Sequence, residues 1–275
     1  MSSNRRTSIP NRSGIMTTFT SPALLLLFAL TLPIHLPAAA PERGFISKTP
    51  AAKWEQALVS GNGTHGAMVV GAPDNETVIL NHGLLYLPLH PPRPAPETAT
   101  ILPRLRALMA DGKFQAAADE VVHLANAEGY KGKHWTDPFI PACDFKIGMP
   151  PDGETRNYQR SVDFSTGVAT VEWEDDRGRF TRRLFVSRAD DVVVMSIQGP
   201  GKGRLDCRLA FATRPFRRTG GWGPEAMFRN GIKDIAARAE PGWLHYRAGF
   251  KNAYPGGRSG YEVAARVVPV GGTRW

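Results

Sequence analysis

Apolar and polar positions alternate with a period of two over most of the second half of the chain. Ala169, Val171 and Trp173 alternate with Thr170 and Glu172, and Asp175-Asp176-Arg177-Gly178 turns the chain back into an alternating run over 180–186. Such runs bounded by turn residues predict antiparallel strands. Residues 192–197 are a continuous apolar stretch and predict a central strand. Short strands are predicted again over 233–239, 243–246 and 261–268. Leu205, Cys207, Leu209 and Phe211 fall on one side of a further alternating segment, which puts Cys207 on a buried face.

The first half carries a hairpin and then a change of period. Two apolar runs, 67–70 and 78–80, read as strands. Gly61-Asn62-Gly63 feeds the first, Pro73-Asp74-Asn75 separates the two, and Asn81-His82-Gly83 leaves the second. The hairpin presents Asn62, His65, Asn81 and His82 on its connections, as candidates for a substrate-binding or domain-interface rim. The competing reading is that they satisfy backbone groups within the turns.

Beyond a proline-rich connector around residues 88–96, Leu102, Leu105, Leu108 and Met109 share one helical face. Phe114, Ala117, Ala118, Val121, Val122 and Ala125 share another. Thr98 or Thr100 is the expected cap, Asp111-Gly112 the expected stop, and the pair is expected to cover an open sheet edge or face. In the loop-rich stretch that follows, Trp135 and Phe139 have two readings: stacking on a sugar ring, or capping the core. The predicted fold is mainly β, an antiparallel β-sandwich with an inserted helical pair.

The hairpin also carries a resemblance. Trp54, Gly61-Asn62-Gly63, Gly66-Ala67-Met68, Gly71, Leu80-Asn81 and Leu85-Tyr86 resemble the opening of the N-terminal domain of glycoside hydrolase family 95, the α-L-fucosidase and α-L-galactosidase family. That family has Glu where this chain has His82, and Trp where it has Tyr86. Leu102-Pro103, Arg106, Leu108, Gly112-Lys113-Phe114 and Ala117 continue the likeness, as do Tyr158-Gln159-Arg160, Asp163 and the stretch from Arg182-Arg183 to Ser187. It covers most of residues 50–211 and fades through 212–260. It implies a sandwich of the super-sandwich type whose catalytic carboxylates lie on a separate (α/α)6 barrel; nothing in this sequence corresponds to that barrel.

Composition fits a β domain: 275 residues, 42% hydrophobic, with 28 Gly and 23 Pro. The net charge of +9 includes Arg5, Arg6 and Arg12 of the N-terminal segment; without them 31 basic residues face 25 acidic ones. The basic residues are scattered and do not interleave with aromatics, which argues against nucleic-acid binding. Residues 23–32 form an apolar core behind those arginines, and Ala38-Ala39-Ala40 is a small-residue cleavage region, so residues 1–40 are expected to be an export signal. The expected location is secreted or periplasmic, with no membrane attachment after cleavage. Cys143 and Cys207 could pair in an exported protein, but a free buried thiol fits the pattern better. Two cysteines are too few for a zinc motif, and no metal or cofactor is expected.

Glu172, Glu174, Asp175 and Asp176 surround one turn. Glycoside hydrolysis needs two carboxylates opposed across a sugar, about 5 to 9.5 Å apart; this cluster reads instead as a solvated turn. Ser187, His123 and His245 lack a nucleophile-elbow context. No catalytic residue is therefore named. The sequence is read as the non-catalytic N-terminal domain (residues 41–275) of an exported family 95-like glycoside hydrolase, expected to be truncated before its barrel. Its partners would be that barrel and, through the whole enzyme, a glycan. The alternative is a stand-alone carbohydrate-binding or scaffold domain.

Overall fold

The computed structural model describes residues 40–131, 136–201, 205–215 and 224–271. In chain order these form β1 (Gly44–Ser47), β2 (Leu58–Gly61), β3 (His65–Val69), β4 (Asn75–His82), α1 (Leu102–Ala110) and α2 (Phe114–Ala127). There follow β5 (Cys143–Gly148), β6 (Arg156–Asp163), β7 (Ala169–Asp175), β8 (Gly178–Val186), β9 (Val193–Gln198) and β10 (Arg208–Ala212). The last elements are α3 (Pro224–Gly231), β11 (Ile232–Glu240), β12 (Trp243–Phe250) and β13 (Gly260–Arg266).

Three antiparallel sheets result, ordered β1-β6-β7-β8-β9, β10-β5-β4-β3-β2 and β11-β12-β13. The predicted sandwich is present, with the predicted helical pair inserted between β4 and β5. Alternation is what builds it. By register, Val69, Val78 and Phe145 stand side by side on one face of the second sheet, as do Ala67, Leu80 and Cys143. That face meets the first sheet through Leu58, Val69, Val171, Phe180 and Leu184 in one cluster. Towards β10 it meets the third sheet through Phe211, Leu244, Tyr246 and Phe250 in another.

The two sheets of the first cluster are pinned by a buried ion pair. Arg182 of β8 and Glu76 of β4 are both essentially solvent-free, with Nη1 to Oε2 2.5 Å apart. Glu76 Oε1 also accepts from the amides of Gly71 and Thr77, and Arg182 donates to the carbonyls of Ala72 and Pro73. The guanidinium lies 5.0 Å from the Trp173 ring. Its Nε is buried without a hydrogen-bond partner. Burial pushes the Glu76 carboxyl up from its usual range, against the pull of Arg182 and the two amides. Nearby, the turn into β4 requires glycine at position 71. Its φ is +88°, and a Cβ there would come within 2.8 Å of the Tyr158 hydroxyl.

Four expectations are corrected. The apolar run at 192–197 is not central: β9 is the edge of the first sheet, with side chains alternating between half-buried and exposed. The helical pair is not a sheet cover, for Phe114, Val122 and Met109 are exposed and only Leu105 and Ala117 are buried in it. Nor does a threonine cap α1. The chain enters through a 3-10 turn over Thr98–Ile101, with proline in the first turn of the helix, and Thr100 Oγ1 instead donates back to the Glu97 carbonyl. Cys207 is exposed, because β10 begins one residue later, at Arg208, and the alternation does not extend back to it. Cys143 is free and buried.

Candidate functional site

The β3–β4 hairpin places His65 directly opposite His82. Their rings meet edge to face, centroids 4.8 Å apart. Asn62 lies just before β3, and its side chain works in two directions. Oδ1 accepts from the amides of Thr64 and His65, closing the turn. Nδ2 donates to the Ser187 carbonyl and to Asp191 Oδ1, reaching the loop between β8 and β9. Asp191 holds a left-handed backbone, φ 54°, and its Oδ1 also lies 3.7 Å from His65 Nε2. Asn62, His65 and His82 are thus gathered around Asp191 at one end of the sandwich.

Asn81 is placed differently. It pairs with Gly66 across the hairpin and follows the strand's alternation onto the face opposite that of His82. Trp135 lies outside the described residues.

The electrostatics of the cluster centre on His82. Its Nδ1 accepts from the Leu84 amide, which requires the neutral ring. Burial, His65 and Arg258 all hold its pKa below the ordinary histidine value, and Asp191 opposes them weakly. Asp191 and Arg258 are missed by sequence reasoning. Each reaches the hairpin only through the fold, from 109 and 176 residues beyond His82 in the chain; no local signal could have found them.

The carboxylates are taken up elsewhere. Each buried acidic residue among those described meets an arginine: Glu76 with Arg182, Asp144 with Arg214, Glu172 with Arg179, and Asp175 with Arg177. Glu172 and Asp175 are buried, which corrects their reading as part of a solvated turn. Only the outer members fit that reading: Glu174 accepts from Asn157, and the exposed Asp176 pairs with Arg156. An acid or base clamped to a guanidinium is not free to exchange a proton with a sugar. No group of three or more His, Cys, Asp or Glu residues able to hold a metal ion occurs among the described residues.

An aromatic pair lies on the surface nearby. Tyr86 and Phe139 form an isolated bridge, rings 5.5 Å apart, each about half exposed. Phe139 therefore does not cap the core.

Comparison with known proteins places the domain. The family model described as "Glycosyl hydrolase family 65, N-terminal domain" matches residues 45–273. A curated relative, "Alpha-L-fucosidase 2" of Arabidopsis thaliana, is 23% identical over 167 residues, 59% of this chain and 19% of that protein. The chain thus matches about a fifth of that relative's length.

Proposed function

This chain belongs to the family of glycosyl hydrolase family 65 N-terminal domains, and from that we propose that it is the non-catalytic sandwich of an α-L-fucosidase-like, family 95-type enzyme. The partner is a catalytic domain that carries the acid and base, and the substrate, reached through that partner, is a glycan ending in fucose or a related sugar. The apolar, arginine-led N-terminus supports export, to the periplasm or the exterior. The likeness to the Arabidopsis fucosidase supports the substrate class.

The observation that carries this reading is the division of polar groups. Every buried carboxylate described is held by arginine, while Asn62, His65 and His82 are grouped at one open end of the sandwich. A domain built this way can border a sugar pocket or a partner surface without cleaving a bond. The test is to combine the chain with the helical-barrel domain of an α-L-fucosidase. It is expected to be inert alone towards an aryl α-L-fucoside and to raise the barrel's activity or stability when joined to it. Failure to associate with such a barrel, by sedimentation, would sink the reading.

A second reading rests on Tyr86 and Phe139. Two half-exposed rings are a ready platform for the apolar face of a sugar, which favours a stand-alone carbohydrate-binding domain. Saturable binding of fucosylated oligosaccharides by the chain alone, lost in Tyr86→Ala, would select it.

A further inference from the structure

Three loops of the chain, residues 88–92, 137–138 and 252–258, are tied to one another by hydrogen bonds. Asp137 Oδ1 accepts from the Leu89 amide at 3.0 Å, and the Pro138 carbonyl accepts from the Leu87 amide at 2.9 Å. On the other side Asn252 Nδ2 donates to the Pro88 carbonyl at 2.9 Å, and the Tyr254 hydroxyl donates to the Leu89 carbonyl at 3.3 Å. Leu89 itself packs against the second hydrophobic cluster. The 252–258 loop turns back at Gly256, φ 73°, where the Gly257 amide donates to the Tyr254 carbonyl. Arg258 follows that turn directly.

The loops enclose a pocket of about 380 Å³, at the small end of the range for ligand sites. Its apolar lining is Pro88, Pro91, Pro92 and Tyr254, and its polar side chains are Arg258, Asp137 and His90. Arg258 makes no hydrogen bond or ion pair among the described residues, although its charge reaches His82. Asp137 uses Oδ1 for the Leu89 amide and for the His90 ring, whose Nδ1 is 3.3 Å away. Its Oδ2 has no partner among the described residues. A guanidinium and a carboxylate thus line one small pocket without meeting each other.

We infer that this pocket binds one neutral sugar ring of a glycan, at a site distinct from the Tyr86–Phe139 pair. The charges select the ligand. Asp137 repels an anion and Arg258 repels a cation, whereas a neutral group that both accepts and donates satisfies the two together. A sugar hydroxyl does both: it accepts from the guanidinium and donates to Oδ2 of the carboxylate. A neutral His90 that donates from Nδ1 to Asp137 presents Nε2 as a further acceptor. The C–H face of a pyranose suits Tyr254 and the three prolines, which offer apolar surface and no N–H to be left unpaired. The inference does not rest on docking to a catalytic barrel, since every group it uses belongs to this chain.

The test titrates the full chain with neutral methyl glycosides, methyl α-L-fucoside and methyl β-D-galactoside among them, and follows backbone amides by NMR. Expected are saturable shifts at the amides of His90, Asp137, Tyr254 and Gly257. Arg258→Ala changes an exposed side chain that holds no bond within the described chain. It should leave the thermal midpoint in place and weaken binding about tenfold or more, as loss of a hydrogen bond to a charged group implies. Methyl β-D-glucuronide should bind more weakly than the neutral rings, because its carboxylate meets Asp137. The inference is overturned if no neutral glycoside moves those amides, or if Arg258→Ala binds equally. It is also overturned if the glucuronide binds more tightly, which would make this an anion site, or if the shifts are confined to Tyr86 and Phe139, which would select the aromatic pair instead.

Discussion

His65 and His82 face each other across one hairpin, ring centroids 4.8 Å apart, in a position where both cannot carry a proton without mutual repulsion. The pKa of His82 is held below the ordinary histidine value by burial, by His65 and by Arg258. Below the ordinary histidine value the unfolded chain takes up a proton that folded His82 refuses. Its contribution to stability is therefore present above that value and is lost as the pH falls towards the lowered folded value. The thermal midpoint should drop between about pH 7.5 and about pH 5.5, and His82→Asn should flatten that part of the profile. An unchanged profile in the variant would remove His82 from the explanation.

Asn62→Ala should destabilise the chain by about 1 to 2 kcal/mol, because it strips the turn amides of Thr64 and His65 and the Ser187 carbonyl of their partner. Asn81→Ala should cost no more than about 0.5 kcal/mol, as an ordinary half-buried polar substitution does. Chemical denaturation of the two variants side by side measures the difference. Equal losses would contradict the separate placement of the two asparagines.

Removing one partner of the inter-sheet ion pair leaves the other charge buried. Glu76→Ala or Arg182→Met alone should cost about 3 to 5 kcal/mol. The pair Glu76→Leu with Arg182→Met should cost distinctly less than the sum, since no orphan charge remains. A full double-mutant cycle by urea unfolding checks this, and additivity would argue that the two residues do not interact.

The chain alone should not hydrolyse aryl α-L-fucosides. Any trace rate should be unaffected by Glu172→Gln, because that carboxylate is bound by Arg179 and hidden from solvent. A rate well above background that disappears in this variant would reverse the assignment of the turn.

Thiol labelling should separate the cysteines. Cys207 is exposed and should react in the native chain, although desolvation raises its pKa and slows it. The Cys143 thiol is pushed up to about 12 by burial and the Asp144 charge and should react only on unfolding. Two equivalents labelled rapidly under native conditions would show that the β4–β5 region opens readily.

What the sequence determined by itself was local. Period-two alternation located the strands around Val171, Phe180, Leu244 and Val263, and period 3.6 located α1 and α2, because burial of one face imposes those periods wherever the element sits. The turn residues Gly63, Gly112 and Gly178 marked element ends for an equally local reason: each takes a positive φ that glycine adopts most easily. The tertiary structure decided what depends on which strands become neighbours. The apolar 192–197 run reads as central, yet sheet order makes it an edge. Arg182 enters the sequence reading only as part of a stretch that carries the family resemblance, yet its side chain is buried against Glu76, 106 residues earlier. Asp191 joins Asn62 and His65 only when β9 folds back beside the first hairpin. Periodicity reports that a face is buried; it carries no information about what lies against it, and the candidate site is made of such long-range neighbours.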